Sequence, residues 1–408
     1  MTGMSPRRAV VTTALLVLAL SLPATAGAAQ INTHGTTLVA LDAVPGEANR
    51  VTVAHTGDSV VVRDDGANLT LGPSADCTLV DAHQVRCPPI RIQFTALLGD
   101  GDDTVTVSGG FFTDLRGEAG ADRIDGGSGH DNIDAGDGDD TVAAGPGDDQ
   151  IRGGAGSDTI GGGEGTDLAT YDSTAPVTAT LDGLGGDGAA GENDLIGPDV
   201  EGVLGGLGAD TLTGNDGPNH LDGGGGRDRI TGAGGNDELS DVSSGNTFDG
   251  GDGDDTITSR GIFESDESGF VGIVPGRDRV ACGAGADTVI GDVLDRPAGD
   301  CERIDTGIWL PDRTLRATRD AHVSARVRCG ALRTCRFRVR LRRQGYITPL
   351  ASGRIPAGAT RRVRMRLTRT GAKVLRRERR VRVDVIVYGS RMPGVVKTVT
   401  LTAGALRR

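Results

Sequence analysis

The sequence predicts an all-β chain: short strands coiled into a solenoid, preceded by an N-terminal β cap and followed by a C-terminal antiparallel β-sandwich. Three observations carry this. Gly supplies 67 of 408 residues while aromatics are only 3%, too few large side chains for an ordinary core of this size. Aspartate, glycine and one aliphatic residue recur every nine positions through the middle of the chain. Charge is split: residues 1–309 hold 16 basic and 52 acidic side chains and residues 310–408 hold 27 basic and 4 acidic, beneath a net charge of -13. Glycine and proline follow no Gly-X-Y period, which excludes collagen, and the fixed apolar steps argue against a disordered tract.

In chain order, residues 1–29 read as a signal peptide. Arg7 and Arg8 precede an apolar run, Ala9 to Leu20, too short for a stable membrane span. Ala24-Thr25-Ala26 and Ala26-Gly27-Ala28 offer small-residue cleavage sites, so cleavage is expected between Ala26 and Gln30. No later stretch is long and apolar enough to span a membrane, and the expected localisation is secreted. Export makes the six cysteines read as disulfides. Of the possible connectivities the sequence-local one is favoured, Cys77 with Cys87, Cys282 with Cys301 and Cys329 with Cys335, because each pair lies within one composition block. Zinc would need Cys-x-x-Cys spacing or nearby His. Residues 30–96 alternate apolar and polar at Val51-Thr-Val53, Val60-Val-Val62, Leu69-Thr-Leu71 and Ile90-Arg-Ile92, which predicts short strands capping the solenoid.

The repeat follows, over 97–169 and 203–304. Position six of the nonapeptide is Asp122, Asp131, Asp140, Asp149, Asp158 and Asp167, then Asp210, Asn219, Asp228, Asp237, Asn246 and Asp255, then Asp278 and Asp287, with Asp103 as an early outlier. Position eight is apolar, as at Ile124, Ile133, Val142, Ile151 and Ile160, and again from Leu212 to Ile257. Nine Gly-rich residues do not suit one face of a 3.6-residue helix; they suit one turn and one very short strand, with position eight pointing between two stacked sheets. Two nonapeptides make one coil, so residues eighteen apart stack along one edge. Asp122, Asp140 and Asp158 share one edge, and Asp131, Asp149 and Asp167 the other. Stacked carboxylates repel unless a cation lies between them. Carboxylate and carbonyl oxygens in a flexible loop suit Ca2+ better than Mg2+ or a soft metal.

Asp125-Gly-Gly-Ser-Gly-His-Asp-Asn-Ile133 and Arg152-Gly-Gly-Ala-Gly-Ser-Asp-Thr-Ile160 resemble the GGxGxDxUx nonapeptide of RTX (repeats-in-toxin) proteins, in the form found in secreted actinobacterial members. The resemblance implies a parallel β-roll with Ca2+ in its turns. It makes the position-six residues, from Asp103 to Asp287, side-chain ligands, with carbonyls supplied by positions one to five. Asn219 and Asn246 depart from the pattern, and their neutral oxygens are expected to weaken neighbouring sites. The interruption, 170–202, resembles the spacer between repeat blocks. It holds a predicted strand, Val177 to Leu181, and Asp187, Glu192 and Asp194 either hold another Ca2+ or, the favoured reading, form a solvated loop. Residues 278–302, with Cys282 and Cys301, look like a terminal coil closed by a disulfide.

Residues 310–408 alternate apolar residues with arginine over Val323 to Arg328, Phe337 to Arg342, Val363 to Leu367, Val381 to Val387 and Val395 to Leu401, with a short helix expected over 370–377. A face of Arg338, Arg340, Arg342, Arg364 and Arg366 either docks an anionic envelope polymer or polysaccharide, or is a solvated strand face or packs against the chain's own acidic roll. Nucleic acid is a poor candidate, with only Phe337, Tyr346 and Tyr388 to stack on bases. The chain has no His-Glu-x-x-His, no Gly-x-Ser-x-Gly and no phosphate-binding Gly-Lys-Ser/Thr. An EF-hand start at Asp100-Gly-Asp102 meets Phe111 where the bidentate Glu belongs. The expected function is that of a secreted Ca2+-binding repeat protein with a structural or adhesive role at the cell envelope, and no enzyme. The competing expectation is a secreted polysaccharide-acting enzyme that uses the solenoid surface.

Overall fold

A computed structural model describes residues 28–34, 38–73, 75–88, 93–243, 245–259, 272–273, 278–291, 296–304, 308–309, 314–316, 318, 322–329, 335–343, 346–347, 351–356, 359–378, 380–389 and 394–402. All but the end of the expected signal peptide, the Ile90-Arg-Ile92 strand, and the side chains of Cys329 and Cys335 lie outside the described residues.

The nine-residue period folds as its spacing dictates. Each nonapeptide contributes one short strand, and successive strands go alternately to two stacked parallel sheets, making an all-β parallel β-roll. In one sheet Phe112–Ala119, Asp131–Asp137, Gln150–Ala155 and Leu168–Thr170 run side by side, with Leu115, Ile133, Ile151 and Ala169 in register. The column continues without a break through Val203, Leu221, Leu239, Ile257, Val289 and Ile304. In the other sheet Val105, Ile124, Val142, Ile160 and Ile196 form the facing column, resumed by Leu212, Ile230, Phe248 and Val280. As far as Val289 and Val280 the two columns are buried and meet between the sheets, so the core is one aliphatic file per sheet. So thin a core removes little apolar area per ordered residue, which leaves the coil dependent on further stabilisation.

The N-terminal strands extend both sheets. Leu38–Asp42 pairs parallel with Gln93–Leu97, and Arg50–His55 pairs parallel with Thr104–Ser108. Beyond them the pairing turns antiparallel, Ala29–His34 on Leu38–Asp42 and Val60–Asp64 on Arg50–His55, with Gln84–Cys87 outside. The Cys77–Cys87 disulfide pins this end, and the Cys282–Cys301 disulfide joins the last coils. The interruption is a hairpin spliced into one sheet: Val177–Thr180 pairs antiparallel with Gly185–Ala189, which pairs with Asp194–Ile196.

The C-terminal residues form antiparallel strands at the positions the alternation predicts. Cys335–Arg343, Arg380–Gly389 and Gly394–Thr402 lie in one sheet, and His322–Cys329 and Thr360–Arg366 in another. The helix is Arg369–Glu378. The five arginines expected on one face divide between these sheets: Arg338, Arg340 and Arg342 stand in the first, Arg364 and Arg366 in the second, because Cys335–Arg343 and Thr360–Arg366 belong to different ladders. Among the described residues no helix is long and apolar enough to cross a membrane.

Candidate functional site

Each position-six residue precedes a strand or, at Asp131, opens it, so the coil carries it to the same edge every eighteen residues. All are buried, including Asp103, Asp278 and Asp287. Within each run of repeats, one oxygen of each side chain accepts the backbone N–H of the residue stacked one coil earlier; Asn219 is the exception, its Oδ1 accepting the Asn215 N–H at 2.8 Å. Along the first edge Asn49 donates to Asp103 at 2.6 Å, Asp103 to Asp122 at 2.8 Å, Asp122 to Asp140 at 2.7 Å and Asp140 to Asp158 at 2.9 Å. Along the second, Asp131 donates to Asp149 at 2.7 Å and Asp149 to Asp167 at 2.9 Å. The later coils repeat this: Asp210 on Asp228 on Asn246 on Asp278, and Asn219 on Asp237 on Asp255 on Asp287.

The second oxygen is the informative one. Oδ2 of Asp103, Asp122, Asp131, Asp140, Asp149, Asp158, Asp167, Asp210, Asp228, Asp237, Asp255 and Asp287 is buried without a hydrogen-bond partner. In many coils it aims at the residue five positions earlier, where glycine leaves the space open. A methyl group on Gly126 would stand 2.8 Å from both Asp131 Oδ2 and the carbonyl oxygen of Ala144, one coil on. On Gly117, Gly232 or Gly250 it would overlap the same pair of oxygens. A carboxylate oxygen and a carbonyl oxygen therefore face one point above Gly117 on the first edge and repeatedly, above Gly126, Gly162, Gly232 and Gly250, on the second. Position two holds the left-handed backbone that lets the turn close. The angle persists without glycine at Glu118 (φ 73°) and Ala233 (φ 79°), the only non-glycine residues described with it, whereas Asn215 and Val242 fill position two without it.

Charge without a partner shows in the titration of these groups. Burial, above all, pushes Asp122, Asp131 and Asp158 up to about 7 and Asp103, Asp167, Asp210 and Asp237 up to about 6, with neighbouring carboxylates adding to it and the ladder hydrogen bonds opposing it. A cation among these oxygens would remove that penalty. The donors are hard oxygens, which fits Ca2+.

Several rungs escaped the sequence reading. Asp194 is buried and accepts the Asp158 N–H at 3.0 Å. With buried Asp187, it corrects the expected solvated loop: the hairpin folds this segment into the sheet, so Asp194 takes the place of a position-six residue. Glu192 is half-buried and accepts the Ala189 N–H at 2.6 Å. Tyr171 donates its hydroxyl to Asp194 Oδ2 at 3.3 Å. Glu201 and Glu302 receive the N–H groups of Asp167 and Asp287 at 2.9 Å each. The signal was present in all of these: Asp194-Leu-Ile196, Glu201-Gly-Val203 and Glu302-Arg-Ile304 keep the acid-x-aliphatic core of the repeat without its glycines. At the N-terminal end Asp64, fully buried, accepts the N–H groups of Arg50, Gly66 and Ala67, closing the turn beside Asn49 and Asp103.

The two asparagines are accommodated differently. Asn219 donates its Nδ2 to Glu201 O at 3.4 Å and to Asn215 Oδ1 at 3.3 Å, so this amide is satisfied within the protein. Asn246 Nδ2 is buried without a partner. His130 and His220 are exposed, as expected of variable turn positions.

Residues 112–142, 134–169, 204–239 and 243–261 match the RTX calcium-binding nonapeptide repeat family. No curated protein matches the chain.

Proposed function

The chain is an RTX-type calcium-binding repeat protein, and from that premise we propose that Ca2+ held between successive coils closes its roll, with the position-six residues as side-chain ligands. The observation that carries this reading is the file of buried Oδ2 atoms without hydrogen-bond partners on both edges. Position-one glycines and the carbonyls of the following coil complete an all-oxygen donor set. The residues proposed as ligands run from Asp103 to Asp287, joined by Asp194, Glu201 and Glu302 at the rungs the repeat does not mark. Ca2+ binds the coiled chain and not the open one, so its binding free energy becomes folding free energy.

RTX repeats are typically extracellular, and this chain is proposed to act outside the cell, after removal of residues 1–29, in a structural or adhesive role at the envelope. The basic strands of 310–408 would dock it to an anionic polymer. Exposed Arg362, Arg364 and Arg366 on Thr360–Arg366, with exposed Arg369, Lys373, Arg376 and Arg377 on the adjoining helix, support that part of the reading. The domain limits 30–96, 97–169, 170–202, 203–304 and 310–408 are part of the same proposal.

Circular dichroism of the full chain tests the first claim: β-structure should rise with millimolar-scale Ca2+, in the range of about 10⁻⁴–10⁻³ M for extracellular sites, and fall on chelation. Identical spectra in the two conditions would remove Ca2+ from the fold. The docking claim requires retention on heparin at low salt that is lost as salt rises; indifference to heparin would end it.

A further inference from the structure

The coil that carries Asn246 lacks the second carboxylate oxygen that its neighbours place on this edge. Its Oδ1 is taken by the Asp228 N–H at 3.0 Å, and what remains on its side chain is a donor, Nδ2. Five residues earlier, where most coils place glycine or alanine and none of the others a charged residue, stands Asp241. It is 2% exposed and ends the strand Glu238–Asp241. Its Oδ1 accepts the Ser243 N–H, while its Oδ2 is buried and has no hydrogen-bond partner.

The position of that oxygen is defined by Gly223, eighteen residues earlier. The point above the position-one glycines Gly117, Gly126, Gly162, Gly232 and Gly250 is faced by the Oδ2 of the glycine's own repeat and by a backbone carbonyl, and above Gly153 and Gly205 the nearest atoms all belong to the aspartate of the glycine's own repeat. Above Gly223 it is faced by Asp228 Oδ2 and by Asp241 Oδ2, a second carboxylate where the first five have a carbonyl. Both side chains are more than nine-tenths buried. Two buried carboxylate oxygens facing one point repel each other when both are ionised, so either a proton shared between Asp228 and Asp241 or a cation must join them.

We propose that Asp241 is a Ca2+ ligand, pairing with Asp228 across Gly223 and supplying the negative charge that Asn246 removed from this rung. Rung by rung, this refines the reading that Ca2+ closes the roll, and it rests on that reading. The second asparagine gives the contrast: above Gly214 the oxygens are Asn219 Oδ1 and the Gly232 carbonyl, and Asn219's amide is already hydrogen-bonded. No added carboxylate stands there. The rung at Asn219 thus keeps an oxygen facing the point while its amide is hydrogen-bonded, and only the rung at Asn246 is given a replacement carboxylate.

The test uses the full mature chain with Ca2+ itself as the probe, counting bound ions by equilibrium dialysis and following thermal unfolding in chelator and in Ca2+. Asp241→Asn keeps the turn's acceptor for Ser243 and removes the charge. It should bind one Ca2+ fewer per chain, with a higher unfolding temperature in chelator and a lower one in Ca2+. That opposite pair of shifts separates ligation from turn-building, since a structural role would lower both. Asn246→Asp added to Asp241→Asn returns a carboxylate to position six and should restore the lost ion. An unchanged ion count in Asp241→Asn, or a double variant that fails to regain the ion, overturns the proposal while leaving the calcium-closed roll intact. A wild-type chain that binds no Ca2+ overturns both.

Discussion

Raising the pH of the calcium-free protein should weaken it, the reverse of the behaviour of a protein held by salt bridges. Asp122, Asp131 and Asp158 titrate at about 7 in the folded coil against 3.8 for an unburied aspartate. Between those values the folded chain holds protons that the unfolded chain has released, so stability falls as pH rises. The penalty is absent below the unfolded value and complete above the folded one. For one such carboxyl, the span from about pH 5 to about pH 7 costs on the order of 2 kcal/mol, from ~1.4 kcal/mol per pH unit of unequal protonation. A few such groups reach the ~5–15 kcal/mol that holds a whole domain together. Ca2+ demands the ionised form and competes with the proton, so with saturating Ca2+ the slope should vanish or change sign. The assay is thermal unfolding by far-ultraviolet circular dichroism, in chelator and in Ca2+, across that pH span. A chelated protein whose midpoint is unchanged or higher at the upper pH would refute the reasoning.

Other expectations follow from single contacts. Gly250→Ala would drive a methyl group into Asp255 Oδ2 and the Cys282 carbonyl; it should cost about 1–3 kcal/mol and move the Ca2+ midpoint to higher concentration in a circular-dichroism titration. Phe248 is the bulkiest side chain in its column and fully buried; Phe248→Ala should lose about 3–5 kcal/mol in urea unfolding with Ca2+ present. Replacing Cys282 and Cys301 by Ser opens a short loop at the last coils and should cost about 3 kcal/mol, read from the same urea curves. Asp140→Ala and Asp158→Ala, neighbours on one edge, should be non-additive in the Ca2+ titration, whereas Asp131→Ala, on the other edge, should combine with Asp158→Ala nearly additively.

The roll was legible because its period is stated many times over, and position eight, position six and the two edges fall where the arithmetic puts them. Legibility failed where one half of the signal was missing. Asp194, Glu201 and Glu302 keep acid-x-aliphatic but lack the glycines, and burial within a sheet cannot be read from composition when the segment around Asp187 is itself Gly- and Asp-rich. Asp241 was hidden for a different reason: it occupies a position the repeat assigns to glycine, so the pattern treats it as noise. Among the arginines, alternation fixes which residues share a strand face but not which strands share a sheet. Arg338 and Arg364 were therefore grouped although they stand in separate ladders.

The spacing of the rungs gives the molecule a parity. Along one edge the step from Asp122 to Asp140 spans eighteen residues, from Asp158 to Asp194 thirty-six, and from Asp255 to Asp287, on the other, thirty-two, yet each advances the roll by one strand. Residues added between two such rungs therefore leave the spacing of those rungs unchanged, and axial length changes only by whole strands, about 4.8 Å each. Removing eighteen residues of repeat shortens the roll by that pitch and leaves every later residue on its own sheet. Removing nine sends each later strand to the opposite sheet and each later aspartate to the opposite edge, so that Cys282 and the strands beyond it would meet the wrong neighbours. Whole coils are exchangeable in this architecture, and half coils are not.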